Sequence, residues 1–173
     1  MQTTLTPTPS QRILKNGLKV YSFYKYSEIA PLLHTKHTIS GSDVFSILAR
    51  HALLSFAKSF NFPVGVYAIP VDDRVDSGYS HSAVLAHELR SVFTPLYGVM
   101  RARNTQSYSG KTLAFREQNP RDFLLKCKSG LDVVLVDDIV TTGTTLMEAQ
   151  RVLEKSEVNL LFALVLADAK EDF

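Results

Sequence analysis

Residues 133–145 read VVLVDDIVTTGTT, and the order of side-chain types in this stretch decides the fold. Val133 to Val136 is an unbroken apolar run, the pattern of a strand covered on both faces. Leu160 to Leu166 (LLFALVL) has the same character. The segment between them, about Thr144 to Lys155, has helical spacing. Strand, loop, helix and strand in that order predict a right-handed crossover joining two parallel strands. At the first strand's carboxyl end stand Asp137 and Asp138, adjacent carboxylates that resist ionising together and need hydroxyls, waters or a cation. Thr141, Thr142, Gly143, Thr144 and Thr145 then set four hydroxyls around one glycine at a helix N-terminus. Free backbone N–H groups and the helix dipole favour an anion there.

Carboxylates for sugar hydroxyls beside a hydroxyl-rich helix start describe a cradle for a ribose 5-phosphate. It lies at the carboxyl edge of a parallel sheet, where open α/β folds bind ligands. An ordinary crossover with a Thr/Gly turn needs neither twin acids nor four threonines. The loop lacks the GxxxxGK[ST] spacing and the chain has no GxGxxG, so nothing supports ATP hydrolysis or dinucleotide binding.

Upstream, residues 1–19 begin with a Thr/Pro-rich stretch and read as a disordered tail or remnant, leaving 20–173 as the folded domain. Val20 to Tyr24 (VYSFY) is a short strand. Ser42 and Asp43 start an amphipathic helix carrying Phe45, Leu48, Ala52, Phe56 and Phe60. Val64 to Ile69 (VGVYAI) is a second strand, closed by Pro70 and an acidic loop from Asp72 to Gly78. A helix starts near Ser80 and buries Val84, Leu85, Leu89 and Val92, before a strand at Leu96 to Val99. Little periodicity is left from Arg101 to Lys128, apart from a helical piece around Thr112 to Glu117.

With 173 residues, 45% of them hydrophobic, the chain can bury one sizeable core. No apolar run approaches the roughly 20 residues of a membrane span, and the start MQTTLTPTPS has no signal-peptide pattern. The single cysteine, Cys127, excludes an internal disulfide and a thiolate zinc cluster, which fits a reducing cytoplasm. Cys127 lies between Lys126 and Lys128, a basic setting that favours the thiolate, but nothing places a base nearby and the cysteine reads as structural or incidental. The net charge of +2 is unevenly spread, with +3 over residues 1–100, +5 over 101–128 and −6 over 129–173. The basic island is either a solvated loop or an anion-binding lid. Its interleaved aromatic and basic residues, including Arg103, Tyr108, Lys111, Arg116 and Arg121, would suit single-stranded DNA through phosphate attraction and base stacking. The pI of 8.6 falls below the roughly 9 of strongly basic nucleic-acid modules.

The stretch Val133 to Thr145 resembles the 13-residue phosphoribosyl pyrophosphate (PRPP) signature of type I phosphoribosyltransferases. The resemblance narrows to the ComF/GntX family of competence-associated phosphoribosyltransferase-like proteins and covers about Val20 to Asp168. Tyr26, Leu33, Lys36 and Gly41 are similar to that family's opening segment, and Ile69-Pro70-Val71 to its strand-to-loop passage. Arg101, Thr105, Gln106, Arg116 and Asn119 fall where the family has a basic flexible loop. The fold so implied is α/β, a type I phosphoribosyltransferase-like (Rossmann-like) parallel sheet flanked by helices, with a flexible basic loop.

The resemblance implies that Asp137 and Asp138 hold the ribose hydroxyls, partly through Mg²⁺-bound water, and that Thr141 to Thr145 wrap the 5′-phosphate. It makes Asp72 to Gly78 the pyrophosphate loop, with Asp72, Asp73, Arg74, Arg101, Arg103 and Lys111 as the candidates around pyrophosphate. Asp72 and Asp73 either position Mg²⁺ or cap a turn. The implied role is in natural transformation, handling single-stranded DNA in the cytoplasm beside a helicase and a membrane channel. Either phosphoribosyl is transferred to an unidentified acceptor, or the chain is an adaptor or DNA-binding module with a relict PRPP site. Three departures stand out. The four-cysteine zinc module of many members is missing; the family's R-G-F-N-Q reads Ser77-Gly78-Tyr79-Ser80-His81; and Thr141 replaces the acid of purine-salvage enzymes. The five histidines show no metal-ligand spacing, while His81, just after the expected pyrophosphate loop, is a candidate for phosphate contact.

Overall fold

The computed structural model describes residues 5–38, 40–62, 64–71, 75, 78–104, 106 and 112–170. Regular structure begins with an antiparallel hairpin, β1 (Ser10–Ile13) and β2 (Lys19–Ser22), followed by β3 (Tyr24–Lys25). Helix α1 (Tyr26–Leu33) runs into a 3₁₀ turn at His34–His37. Next, α2 (Gly41–Ala49) continues through a π turn at Arg50–Leu54 into α3 (Ser55–Ala57). Strand β4 (Tyr67–Pro70), helix α4 (His81–Glu88) and strand β5 (Thr94–Pro95) follow. A second hairpin pairs β6 (Met100–Ala102) with β7 (Phe123–Leu125), and α5 (Leu113–Gln118) lies between its arms. The chain then forms β8 (Asp132–Val140), α6 (Thr144–Lys155) and β9 (Asn159–Asp168).

Among the described residues seven strands make one sheet in the order β1-β2-β9-β8-β4-β5, with β3 also paired to β9. Every pairing in it is parallel except β1 with β2. The crossover β8-α6-β9 is thus present, and Val133 to Val136 are fully buried. Alternation splits the core. Val134, Val136, Phe162, Leu164 and Leu166 face α1 to α4, while Val133, Leu135, Ala163 and Val165 face α6 and the β6-β7 hairpin. A register shift between Val133 and Val134 skips Leu161, so that Leu160 and Phe162 serve opposite faces.

The expected tail over residues 1–19 needs correction. Ser10–Ile13 is a strand of the sheet, and Leu14 and Leu18 are buried. The Thr/Pro composition behind that reading ends at Pro9, and the strand after it is too short for an alternation signal. The strand expected at Leu96 to Val99 is also displaced, since those residues form the turn between β5 and β6. Helix α1, which no sequence signal announced, carries Pro31 in its interior.

Candidate functional site

The site is built where β8 ends. Asp138 faces residues of the α1 to α4 side of the sheet and is 7% exposed. Its Oδ2 meets Lys36 Nζ at 3.2 Å and His81 Nε2 at 3.6 Å. Lys36 comes from the 3₁₀ turn after α1, and His81 opens α4. Ser80 caps that helix by accepting a hydrogen bond from the Ala83 N–H, and His81 is its first residue, at the positive end of the helix. Asp137 Oδ1 accepts a hydrogen bond from the Asp138 N–H at 2.9 Å.

This asymmetry separates the two acids electrostatically. Burial and the charge of Asp138 hold the Asp137 carboxyl well above the usual range. Burial also pushes Asp138 up, but the charges of His81 and Lys36 outweigh it and leave that carboxyl below its ordinary value. Burial pulls the Lys36 ammonium down, yet the attraction of Asp138 and Asp137 leaves it raised. One ligand atom each from His81, Asp137 and Asp138 lies within 4.8 Å of the others, a set that could hold a cation. The histidine spacing along the chain gave no sign of this, because the three residues converge only through the packing of α4 against β8.

Beyond the acids, Thr141–Gly143 turns into α6 through Gly143, whose φ of 81° lies in the left-handed region that glycine tolerates. Thr142 Oγ1 and Thr144 Oγ1 are 2.9 Å apart, and Thr142 Oγ1 accepts from the Thr144 N–H at 3.4 Å. Asp137, Thr141, Thr142, Gly143, Thr144 and Thr145 line one small depression. Of the sequence-predicted acids, Asp137 shares this depression with the threonines, while Asp138 beside it faces Lys36 and His81.

The basic candidates are placed differently. Arg101 is exposed on β6. Arg103 Nη1 is 3.7 Å from Asp122 Oδ2. Arg121 donates from Nη1 to the Gln106 carbonyl, and its backbone N–H donates to Glu148 of α6 at 2.7 Å. These contacts tie the hairpin to itself and to α6 rather than to the acid pair. Arg116 lies on α5. Asp72, Asp73, Arg74, Tyr108 and Lys111 lie outside the described residues. Burial pushes the Cys127 thiol up, against what its lysine neighbours favour.

Comparison with known proteins fits this geometry. A protein of Enterococcus faecalis bearing the name ribose-phosphate pyrophosphokinase 1 is 31% identical over 110 residues, 57% of this chain and 34% of that protein. Adenine phosphoribosyltransferase of Burkholderia mallei is 28% identical over 120 residues, 61% of this chain and 55% of that protein. The chain thus spans about a third to about half the length of these curated relatives. The solved structure of adenine phosphoribosyl transferase from Trypanosoma brucei, in complex with AMP, pyrophosphate and ribose-5-phosphate, superposes with a TM-score of 0.51. That match covers 96% of this chain and 88% of that one at 13% identity, and shows a shared type I phosphoribosyltransferase fold. The phosphoribosyl transferase domain family matches residues 78–172, which hold His81, both acids and the threonine loop, and with more than half of its length matched the chain belongs to that family.

Proposed function

We propose that the protein binds PRPP at the edge of β8 and transfers its phosphoribosyl group to an acceptor. The observation that carries this reading is the junction of two unlike carboxylates with a hydroxyl-rich helix start, spanning Asp137 to Thr145. Asp138, held by Lys36 and His81, accepts a hydrogen bond from one ribose hydroxyl, and Asp137 meets its neighbour. The loop N–H groups and threonine hydroxyls take the 5′-phosphate. Breaking the bond from the anomeric carbon to pyrophosphate and forming one to the acceptor asks the protein for positioning and for charge at the leaving group. Asp72, Asp73, Arg74, Arg101, Arg103 and Lys111 are the candidates for the pyrophosphate end.

Mg²⁺ suits this donor set as a hydrated ion. Two carboxylates offer hard oxygens, and Asp137 gains a reason to ionise beside a dication. Asp137 and Asp138 would hold it, partly through water, and its contribution when bound is to neutralise pyrophosphate charge.

The ComF reading places this activity in natural transformation in the cytoplasm, with single-stranded DNA and other competence proteins as partners. The Lys36–Asp138 ion pair supports it, because the lysine of the opening segment resembling that family's then has a task at the acid pair. Among the described residues no helix is long and apolar enough to cross a membrane.

Calorimetric titration of PRPP with Mg²⁺ into the wild type and Asp138→Asn tests the proposal. Micromolar binding that weakens tenfold or more, about 1.4 kcal/mol, is expected. Acceptor-dependent pyrophosphate release then distinguishes transfer from binding alone. A wild type that neither binds nor gains thermal stability overturns the reading in favour of an adaptor with a relict pocket.

A further inference from the structure

The hairpin strand β1 contributes to the loop at the site without reaching the ligand's place. Arg12 sends its two terminal nitrogens to different partners. Nη1 is 3.1 Å from Oδ1 of Asp168, and Nη2 donates to the Thr141 carbonyl at 2.8 Å. The arginine side chain is 18% exposed and that of Asp168 only 3%. Two residues on, Leu14 packs against Gly143 so closely that a Cβ there would stand 2.7 Å from its methyl carbons. Two residues further, Asn16 Nδ2 donates to Gln150 Oε1 of α6 at 2.8 Å. Arg12 on β1, Leu14 just after it and Asn16 in the hairpin turn thus meet the loop, its glycine and its helix in succession.

We infer that this segment is a strap that sets the conformation of the phosphate loop, with Arg12 as a positioning residue. The reading rests on the phosphate cradle proposed above. By holding the Thr141 carbonyl toward the strap, Arg12 keeps an acceptor oxygen turned away from an incoming anion. Leu14 requires the bare Cα of Gly143, and the left-handed turn at that residue sets the course of the backbone into α6. Asp168, at the end of β9 and paired in register with Val140 of β8, anchors the guanidinium to the sheet.

The test uses the full chain and two probes, ribose 5-phosphate and inorganic phosphate. Asp138→Asn, which removes a sugar contact and the charge facing Lys36 and His81, is expected to weaken ribose 5-phosphate more than inorganic phosphate. Arg12→Gln is expected to weaken both by the same factor of ten or more. Arg12→Lys separates fold from positioning, since a single ammonium preserves the ion pair with Asp168 but cannot fork onto the Thr141 carbonyl as well. Its melting temperature should stay near that of the wild type, with phosphate affinity falling as in Arg12→Gln, and the Gly143 and Thr144 amide signals should move. If Arg12→Lys or a folded Arg12→Gln binds inorganic phosphate as the wild type does, the strap has no part in binding. A wild type that binds neither probe brings down the cradle itself and the strap with it.

Discussion

Asp137 is held in its high-pKa state by burial and by the charge of Asp138, and this has a direct consequence for stability. A carboxyl raised in the folded protein binds its proton more tightly there than in the unfolded chain. Stability therefore falls as pH climbs from the unfolded value near 3.8 through the higher folded one. Asp137→Asn removes that loss and keeps an oxygen for the Asp138 N–H. We expect it to raise the melting temperature at pH 7, by about 2–4 °C for each kcal/mol recovered, with the gain vanishing at a pH low enough to protonate the wild-type carboxyl. PRPP affinity should fall in the same variant. Thermal melts across pH measure the first effect, and a variant no more stable than the wild type at pH 7 contradicts it. A variant that is more stable and binds PRPP less tightly would show that the fold carries the cost of Asp137 for its ligand.

At the scale of elements, the Arg50–Glu88 pair joins the π turn to α4 and so holds the helix that presents His81. Arg50 donates from Nε at 2.7 Å and from Nη2 at 3.1 Å to the two carboxylate oxygens of Glu88. Hydrogen bonding from Arg50 holds the Glu88 carboxyl below its usual value against the effect of burial. The linkage has the opposite sign to that of Asp137. The contribution is present above the unfolded value near 4.5 and is lost as pH falls through the folded one. Arg50 is 60% exposed, so solvent screens the pair and the contribution is modest. Urea titrations from pH 7 to 3 should show Glu88→Gln less stable than the wild type at neutral pH, with the gap closing on acidification; a gap that widens refutes the assignment. How legible these elements are in sequence follows from how local their causes are. The bounds of α6 and the burial of β8 follow from periodicity and from an unbroken apolar run, both contained in one window. Helix α1 is masked by Pro31, whose cost is offset by burying Ile29 and Leu33. The acids and the threonine loop are contiguous and so readable. The Lys36 contact joins residues 102 positions apart, and His81 and Arg12 likewise reach the site only through packing.

At the scale of the whole molecule, the described residues form two apolar clusters on either side of the large sheet. On one side Tyr21, Phe56, Phe60, Phe62, Phe93 and Phe162 form a chain of ring contacts beneath α2 and α3. On the other, Leu146, Ala149 and Leu153 of α6 pack with Val133, Leu135 and Val165. Strands β8 and β9 supply alternate residues to both, so neither cluster can dissolve without exposing the strands that complete the other. Unfolding should therefore be a single transition. Ile29→Val probes the first side at a cost of about 0.5–1.5 kcal/mol, and Leu153→Ala the second at about 2–5 kcal/mol. With no contact across the sheet, the double variant should lose the sum of the two to within about 0.5 kcal/mol. The chain has no tryptophan and 7 tyrosines, so tyrosine fluorescence can be set against far-UV circular dichroism in denaturant. Coincident curves with additive losses are the expected result. Two separated transitions, with Leu153→Ala shifting one of them alone, would mean that the α6 layer and its phosphate loop open as a unit of their own. Ligand binding at the sheet edge would then stabilise only that unit.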